Sequence, residues 1–354
     1  MPDAPLILFG AFDRHNLGDL LLAQVAAAET APRPVIYAGL AQRDLSHWGG
    51  HKVHALATLA REWEQEWAQE WGDAPTDLLH VGGELLTCES YEAAMMLQTP
   101  ADAETAIARH DADPEARRRW ARETLGVSAN LPYLAAKALF RHPGHFEYRA
   151  VGGVELNLVA PEARAEALAR LREADAISVR DHATQDHLAA AGIASDLAPD
   201  PVSRVPVLFA DRIRRHGRQG EPASVQAAFP AGYLALQFAA EYGDDASLAR
   251  LAAYLDDQTD ARSLVLFRAG AAPWHDDLAV YQRLAERLKN RRIHLFQSLD
   301  VWDLCALIAN AQGYCGSSLH GWLLARAFGV ENLPFPLPLS TGKLAAYAST
   351  WEAT

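Results

Sequence analysis

Residues 311–328 run Ala311-Gln312-Gly313-Tyr314-Cys315, then Gly316-Ser317-Ser318-Leu319-His320-Gly321, then Trp322-Leu323-Leu324-Ala325-Arg326-Ala327-Phe328. The first piece reads as a short apolar strand and the last as a buried helix, joined by a Gly/Ser-rich turn. Such a turn offers unpaired backbone N–H groups at the positive end of a helix dipole, which suits an anion. His320, on the first turn of that helix, places a titratable group beside the anion. The competing reading is a serine-capped helix whose histidine only packs. The same strand–turn–helix unit recurs along the chain, which sets the fold class as α/β with parallel sheets.

Working outward, Leu6-Ile7-Leu8-Phe9-Gly10 is a strand that leads into a helix from Asp19. Further strands are expected at 34–38, 77–83, 148–153 and 176–181, with helices at 162–174 and 183–191, the last stopped by Gly192. Residues from about 90 to 140 are rich in Ala, Arg and Glu and read as a helical insertion. Arg212 to Pro222, basic and carrying two glycines and a proline, is the linker candidate. Beyond it, strands at 232–239, 263–268, 292–296 and 312–315 alternate with helices at 246–255, 277–289, 301–309 and 321–328. The expected architecture is two Rossmann-like domains, 1–211 and 223–335, facing a cleft. The tail 336–354 is expected to return to the N-terminal domain.

At 354 residues the chain is long enough for two cores. A formal net charge of −13 with no basic stripe excludes a nucleic-acid binder but leaves room for a local anion pocket. Cys88, Cys305 and Cys315 form no CxxC pair and read as reduced, buried thiols. No apolar run approaches the roughly 20 residues of a membrane span, and the first residues lack a basic leader, so the cytoplasm is expected.

Ligands of parallel α/β sheets bind outside the carboxyl ends of the strands, so polar residues there are the candidates. They are Asn16, Gly18 and Asp19 after the first strand, and Gly82 and Gly83, which let a ligand approach the backbone. Arg180 and Asp181 follow, with Arg180 suited to clamp a carboxylate or phosphate. Arg268 closes another strand, and Ser317, Ser318, Leu319 and His320 complete the set. Helix capping, tight turns and an Arg–Asp strut explain the same residues structurally.

Trp63, Trp67 and Trp71 fall at helical spacing, as the apolar side of an amphipathic helix or a stacking surface for a sugar. The acid pairs Asp244-Asp245, Asp256-Asp257 and Asp276-Asp277 read as solvated, and His142 and His145 as flanking a Pro143-Gly144 turn. No histidine–carboxylate spacing indicates a metal.

In order and spacing, Asn16-Leu17-Gly18-Asp19, Gly82-Gly83, Ile177-Ser178-Val179-Arg180-Asp181, Asp200-Pro201 and Ser317-Ser318-Leu319-His320-Gly321 resemble the polysaccharide pyruvyl transferase family across residues 7 to 330. The resemblance implies a two-domain, GT-B-like fold. It implies transfer of the pyruvyl group of phosphoenolpyruvate to two hydroxyls of a cell-wall or exopolysaccharide sugar, giving a cyclic ketal and phosphate. Phosphoenolpyruvate is then the donor substrate, the sugar or polysaccharide precursor the partner, and no cofactor or metal is expected.

In that scheme His320 does the acid–base work and Arg180 takes the carboxylate. Ser317, Ser318 and nearby N–H groups hold phosphate oxygens. The sequence departs from the family where Ser318 stands at a position commonly arginine, and near Leu236-Gln237-Phe238, where an arginine is also missing. Arg268 is a candidate replacement. A GT-B-type glycosyltransferase using a nucleotide sugar, and a catalytically silent glycan- or protein-binding member, remain as alternatives.

Overall fold

The computed structural model describes residues 4–63, 74–258, 263–288, 291–339 and 342–352. The chain divides into two compact units. The first comprises Met1–Arg14, Leu22–Pro201 and Ala345–Thr354, and the second His15–Leu21 and Val202–Leu344.

The first unit carries β1 (Leu6–Phe9), β2 (Val35–Gly39), β3 (Arg43–Asp44), β4 (Lys52–Ala55), β5 (Thr76–His80), β6 (Pro143–Val151), β7 (Ala176–Val179) and β8 (Asp196–Leu197). They form one sheet in the order β3-β4-β2-β1-β5-β6-β7-β8, parallel except for the β3–β4 pair. β1 is buried on both faces, as a central parallel strand covered by helices must be, and its four apolar residues supply both faces. Phe9, Leu78, Phe146, Tyr148 and Leu171 belong to the main core beneath it.

The insertion is helical over Ser90–Met96, Pro100–His110 and Pro114–Leu125. Thr99 and Asp113 cap the second and third of these, each with proline in the first turn, and Gly126 ends the third at φ 65°. The insertion has a small core of its own around Met95, Ala103 and Ala106.

The second unit carries β9 (Tyr233–Gln237), β10 (Ser263–Leu266), β11 (Ile293–Leu295), β12 (Gly313–Gly316) and β13 (Glu331–Leu333), all parallel, in the order β11-β10-β9-β12-β13. The helix Val301–Ala309 is almost wholly buried, in keeping with a sequence apolar at every position but Asp303.

Two expectations change. Arg212–Pro222 is not a linker: the helices Val205–His216 and Gly220–Ala228 run through it and belong to the second unit. Pro222 sits in the first turn of the second helix, where its missing N–H costs nothing. Pro143-Gly144 is not a turn but the start of β6, the strand position that tolerates proline. Trp63 follows the first of its two readings, the apolar side of a helix: it is a core residue packed edge-on against Phe140, with ring centroids 6.4 Å apart. Trp67 and Trp71 lie outside the described residues. Cys88, Cys305 and Cys315 are free and buried. Among the described residues no helix is long and apolar enough to cross a membrane.

Candidate functional site

The strand order of the second unit reverses between β9 and β12, which makes their carboxyl ends a topological switch point. Gln237 ends β9 and Gly316-Ser317-Ser318 follows β12. The Ser317 N–H donates to the Gln237 carbonyl at 3.3 Å. The Ser318 N–H and the Tyr314 hydroxyl both donate to Gln237 Oε1, at 3.0 and 3.2 Å. Gln237 Nε2 donates onward to Asp276 Oδ1 at 2.9 Å. A neutral amide therefore stands at the strand end and ties the two central strands together.

Ser318 is the N-cap of the helix Leu319–Ala327, its Oγ accepting from the Gly321 N–H at 3.2 Å. Ser317 Oγ accepts from the Ala239 N–H at 3.1 Å. Both hydroxyls thus shape the turn, and both serines keep partial exposure. Leu319 turns its side chain into the core, so only its backbone can face a ligand.

The segment 15–17 docks on the loop after β10. Asn16 pairs antiparallel with Gly270, and the Leu17 N–H donates to the Ala269 carbonyl at 2.7 Å. Asn16 Oδ1 accepts from the Gly18 and Asp19 N–H groups at 3.0 and 3.3 Å, capping the helix Leu17–Thr30, with Asp19 the acidic residue of its first turn. Gly18 lies flat against the imidazole of His320: a methyl group at position 18 would overlap the ring. The histidine is therefore flanked by the first turns of two helices, and two partial positive ends converge on one titratable side chain.

Arg268 follows β10. Its Nε is buried without a hydrogen-bond partner, and it forms no ion pair among the described residues. Its charge reaches the Tyr281 hydroxyl. Asp276, expected to be solvated, instead turns inward and accepts from the Ala269 and Gly270 N–H groups at 2.6 and 3.3 Å. Burial pushes its carboxyl up to about 7 against these hydrogen bonds. Gln237 and Asp276 are the residues that sequence reading missed. The position of Gln237 at the end of β9 was the available signal, whereas Asp276, ten residues past β10, offered none.

In the first unit the order reverses between β1 and β5, beside Gly82 and Gly83, at φ 102° and 86°. Both angles favour glycine, and a side chain at Gly82 would come within 3.2 Å of the Arg149 carbonyl. Arg180 is 2% exposed and its terminal nitrogens are engaged by Glu84 at 2.5 Å and Asp200 at 3.1 Å. Burial opposes its charge, but Glu84, Asp200 and Asp181 together hold it even more firmly protonated. So placed, Arg180 orients Glu84 rather than offering a free guanidinium. Asp181 caps the helix His182–Ala190 through the Thr184 N–H at 2.7 Å.

Among the described residues, His216, Asp300 and Asp303 bring ligand-type atoms within 4.8 Å of one another. Each already has an internal role. His216 Nδ1 lies 2.7 Å from Asp303, and Asp300 caps the helix Val301–Ala309.

No curated protein matches the sequence. Among solved structures, the UDP-N-acetylglucosamine 2-epimerase of Rickettsia bellii is similar with a TM-score of 0.53 at 11% identity, over 99% of this chain and 88% of that one. The UDP-GlcNAc 2-epimerase of Methanocaldococcus jannaschii gives 0.51 at 11% identity, over 96% and 86%. At that identity the likeness concerns the fold, which is GT-B-like. The profile of the polysaccharide pyruvyl transferase family matches residues 158–336, just over half of the chain. That span takes in β7 to β13 with Arg180, Gln237, Arg268, Asp276 and the Ser317–His320 turn. The chain belongs to the polysaccharide pyruvyl transferase family.

Proposed function

We propose that this protein transfers the pyruvyl group of phosphoenolpyruvate to two hydroxyls of a cell-wall or exopolysaccharide sugar. The observation that carries the reading is His320, held against Gly18 where two helix N-termini converge. A proton from the His320 imidazolium goes to the methylene carbon of the enol phosphate, leaving an oxocarbenium-like centre. The first sugar hydroxyl adds there and gives its proton back to the imidazole. Phosphate then leaves with its bonding electron pair, and the second hydroxyl closes the ketal while its proton departs with the phosphate. One methylene becomes a methyl, two C–O bonds form, and one C–O bond breaks.

The helix N-termini and Arg268 supply the positive field for carboxylate and phosphate, a role the family's common arginine has vacated at Ser318. Ser317 and Ser318 shape the cradle.

Ser318 in place of arginine also favours a second reading, in which the same helix N-terminus binds the diphosphate of a nucleotide sugar without a guanidinium. The deciding experiment is phosphate release from phosphoenolpyruvate across a panel of sugar acceptors, alongside thermal shifts with each donor. Phosphate release with stabilisation by phosphoenolpyruvate is expected. Stabilisation by nucleotide sugars alone, with no phosphate released, would move the assignment to the second reading.

A further inference from the structure

The loop between β10 and the helix Leu278–Arg287 contains Trp274, 44% exposed. The other large exposed hydrophobic side chains among the described residues, Leu139, Leu158 and Val207, are all aliphatic. Trp274 also stands at φ 66°, in the left-handed region. Ala150 is the only other non-glycine residue described there, and a tryptophan is a far worse occupant than an alanine.

The loop holds this conformation from both sides. The Ala240 N–H donates to the His275 carbonyl at 2.8 Å, His275 N–H to Ala272 at 3.1 Å, and Asp276 N–H to Gly270 at 3.1 Å. A side chain at Gly270 would lie 2.9 Å from His275 Cβ, so the loop is closed tightly on itself. A disfavoured backbone angle under an exposed indole, kept by its whole surroundings, is the pattern of a residue retained for what it touches. Its position agrees. Asp276, two residues on, is bonded to Gln237 and through it to Ser318, while Gly270 pairs with Asn16, two residues before the glycine that seats His320.

We propose that Trp274 is the platform on which the acceptor's pyranose ring lies. This inference rests on the pyruvyl-transfer reading of the same site. A pyranose offers one face of C–H bonds to an indole and a rim of hydroxyls to its neighbours. Of the carboxylates next in the chain, Asp276 turns inward to the Ala269 and Gly270 N–H groups and Asp277 caps the helix Leu278–Arg287, so neither competes with a ring stacked on the indole.

The test is ligand-observed NMR binding of a panel of methyl pyranosides, without donor, to the full chain and its Trp274 variants. Trp274→Ala should weaken the pyranosides that bind by roughly tenfold or abolish their signal, and Trp274→Tyr should retain most of it. Stabilisation by phosphoenolpyruvate should be the same in all three proteins. Trp274→Gly should melt at or above the temperature of Trp274→Ala, because glycine accepts the backbone angle. Equal pyranoside binding in Trp274→Ala would overturn the platform. So would absence of binding across the panel to the unsubstituted protein, or loss in Trp274→Ala of stabilisation by uridine monophosphate instead. Because sugar binding is read without donor, a failure of pyruvyl transfer is recognised separately, by absent phosphate release and absent stabilisation by phosphoenolpyruvate.

Discussion

The imidazole of His320 rests on the bare Cα of Gly18, two residues far apart in sequence that are neighbours in the second unit. Alanine is the better helix former, so in an unencumbered first turn Gly18→Ala would stabilise the helix Leu17–Thr30. Here the methyl must displace the ring. Gly18→Ala is expected to lose about a hundredfold in turnover, comparable to His320→Ala, while the fold survives. Steady-state kinetics with circular dichroism decides it, and wild-type turnover in Gly18→Ala would detach His320 from the chemistry.

Arg268 keeps a buried Nε with no partner, which is a standing cost to the folded state. Arg268→Met should therefore change unfolding stability by less than about 1 kcal/mol, with a gain as the expected sign. The same substitution should erase thermal stabilisation by phosphoenolpyruvate. If that stabilisation persists at full size, Arg268 is not the cation that meets the donor.

The Arg180 node calls for a different result. Arg180→Met removes the guanidinium that both Glu84 and Asp200 contact and should cost about 3–5 kcal/mol in urea unfolding. Combining it with Glu84→Gln and Asp200→Asn should recover much of that loss. Arg180→Lys should fall between, since an ammonium does not reproduce the planar fork that reaches both acids. A single methionine variant within 1 kcal/mol of wild type would show that burial of the node matters little.

His80 gives the fold a pH dependence of known sign. Its Nδ1–H donates to the Glu147 carbonyl at 3.2 Å, and Nε2 accepts from the Ala135 N–H at 3.1 Å, which fixes a neutral ring stacked on Tyr148. Burial drives the imidazole from 6.5 down to about 3. As pH falls below 6.5 the unfolded chain takes up this proton and the folded chain does not, so stability drains away toward pH 3. The loss should reach up to about 3 kcal/mol by roughly pH 4. His80→Gln should flatten that part of the pH–stability curve. An unchanged slope would assign the acid sensitivity to other groups.

Much of this was legible in sequence because it is local. β1, β2, β9 and β10 announce themselves by short apolar runs, as the first half of β6 does not, and the helix at Leu319 by its serine cap, so the turn with His320 is readable from the sequence. Pairings across the chain are not. Nothing local says that His320 lies against Gly18, or that Asp276 turns inward while Asp277 caps a helix from outside. The glycine and proline content of 212–222 misled because the same residues end one helix and open the next. β3 and β8, at two residues each, are too short for any alternation to register.

The helix Lys343–Trp351 closes the first unit. The Asp200 N–H donates to the Tyr347 hydroxyl at 3.2 Å, the His182 N–H to Thr350 Oγ1 at 3.1 Å, and Trp351 Nε1 to the Arg180 carbonyl at 2.8 Å. On the ribosome, these contacts become available only after residues 202–344 have been translated. The Arg180 node must therefore wait, incompletely covered, while residues 202–344 are made, and a sheet formed early in this stretch of chain is sealed by a helix translated well after it.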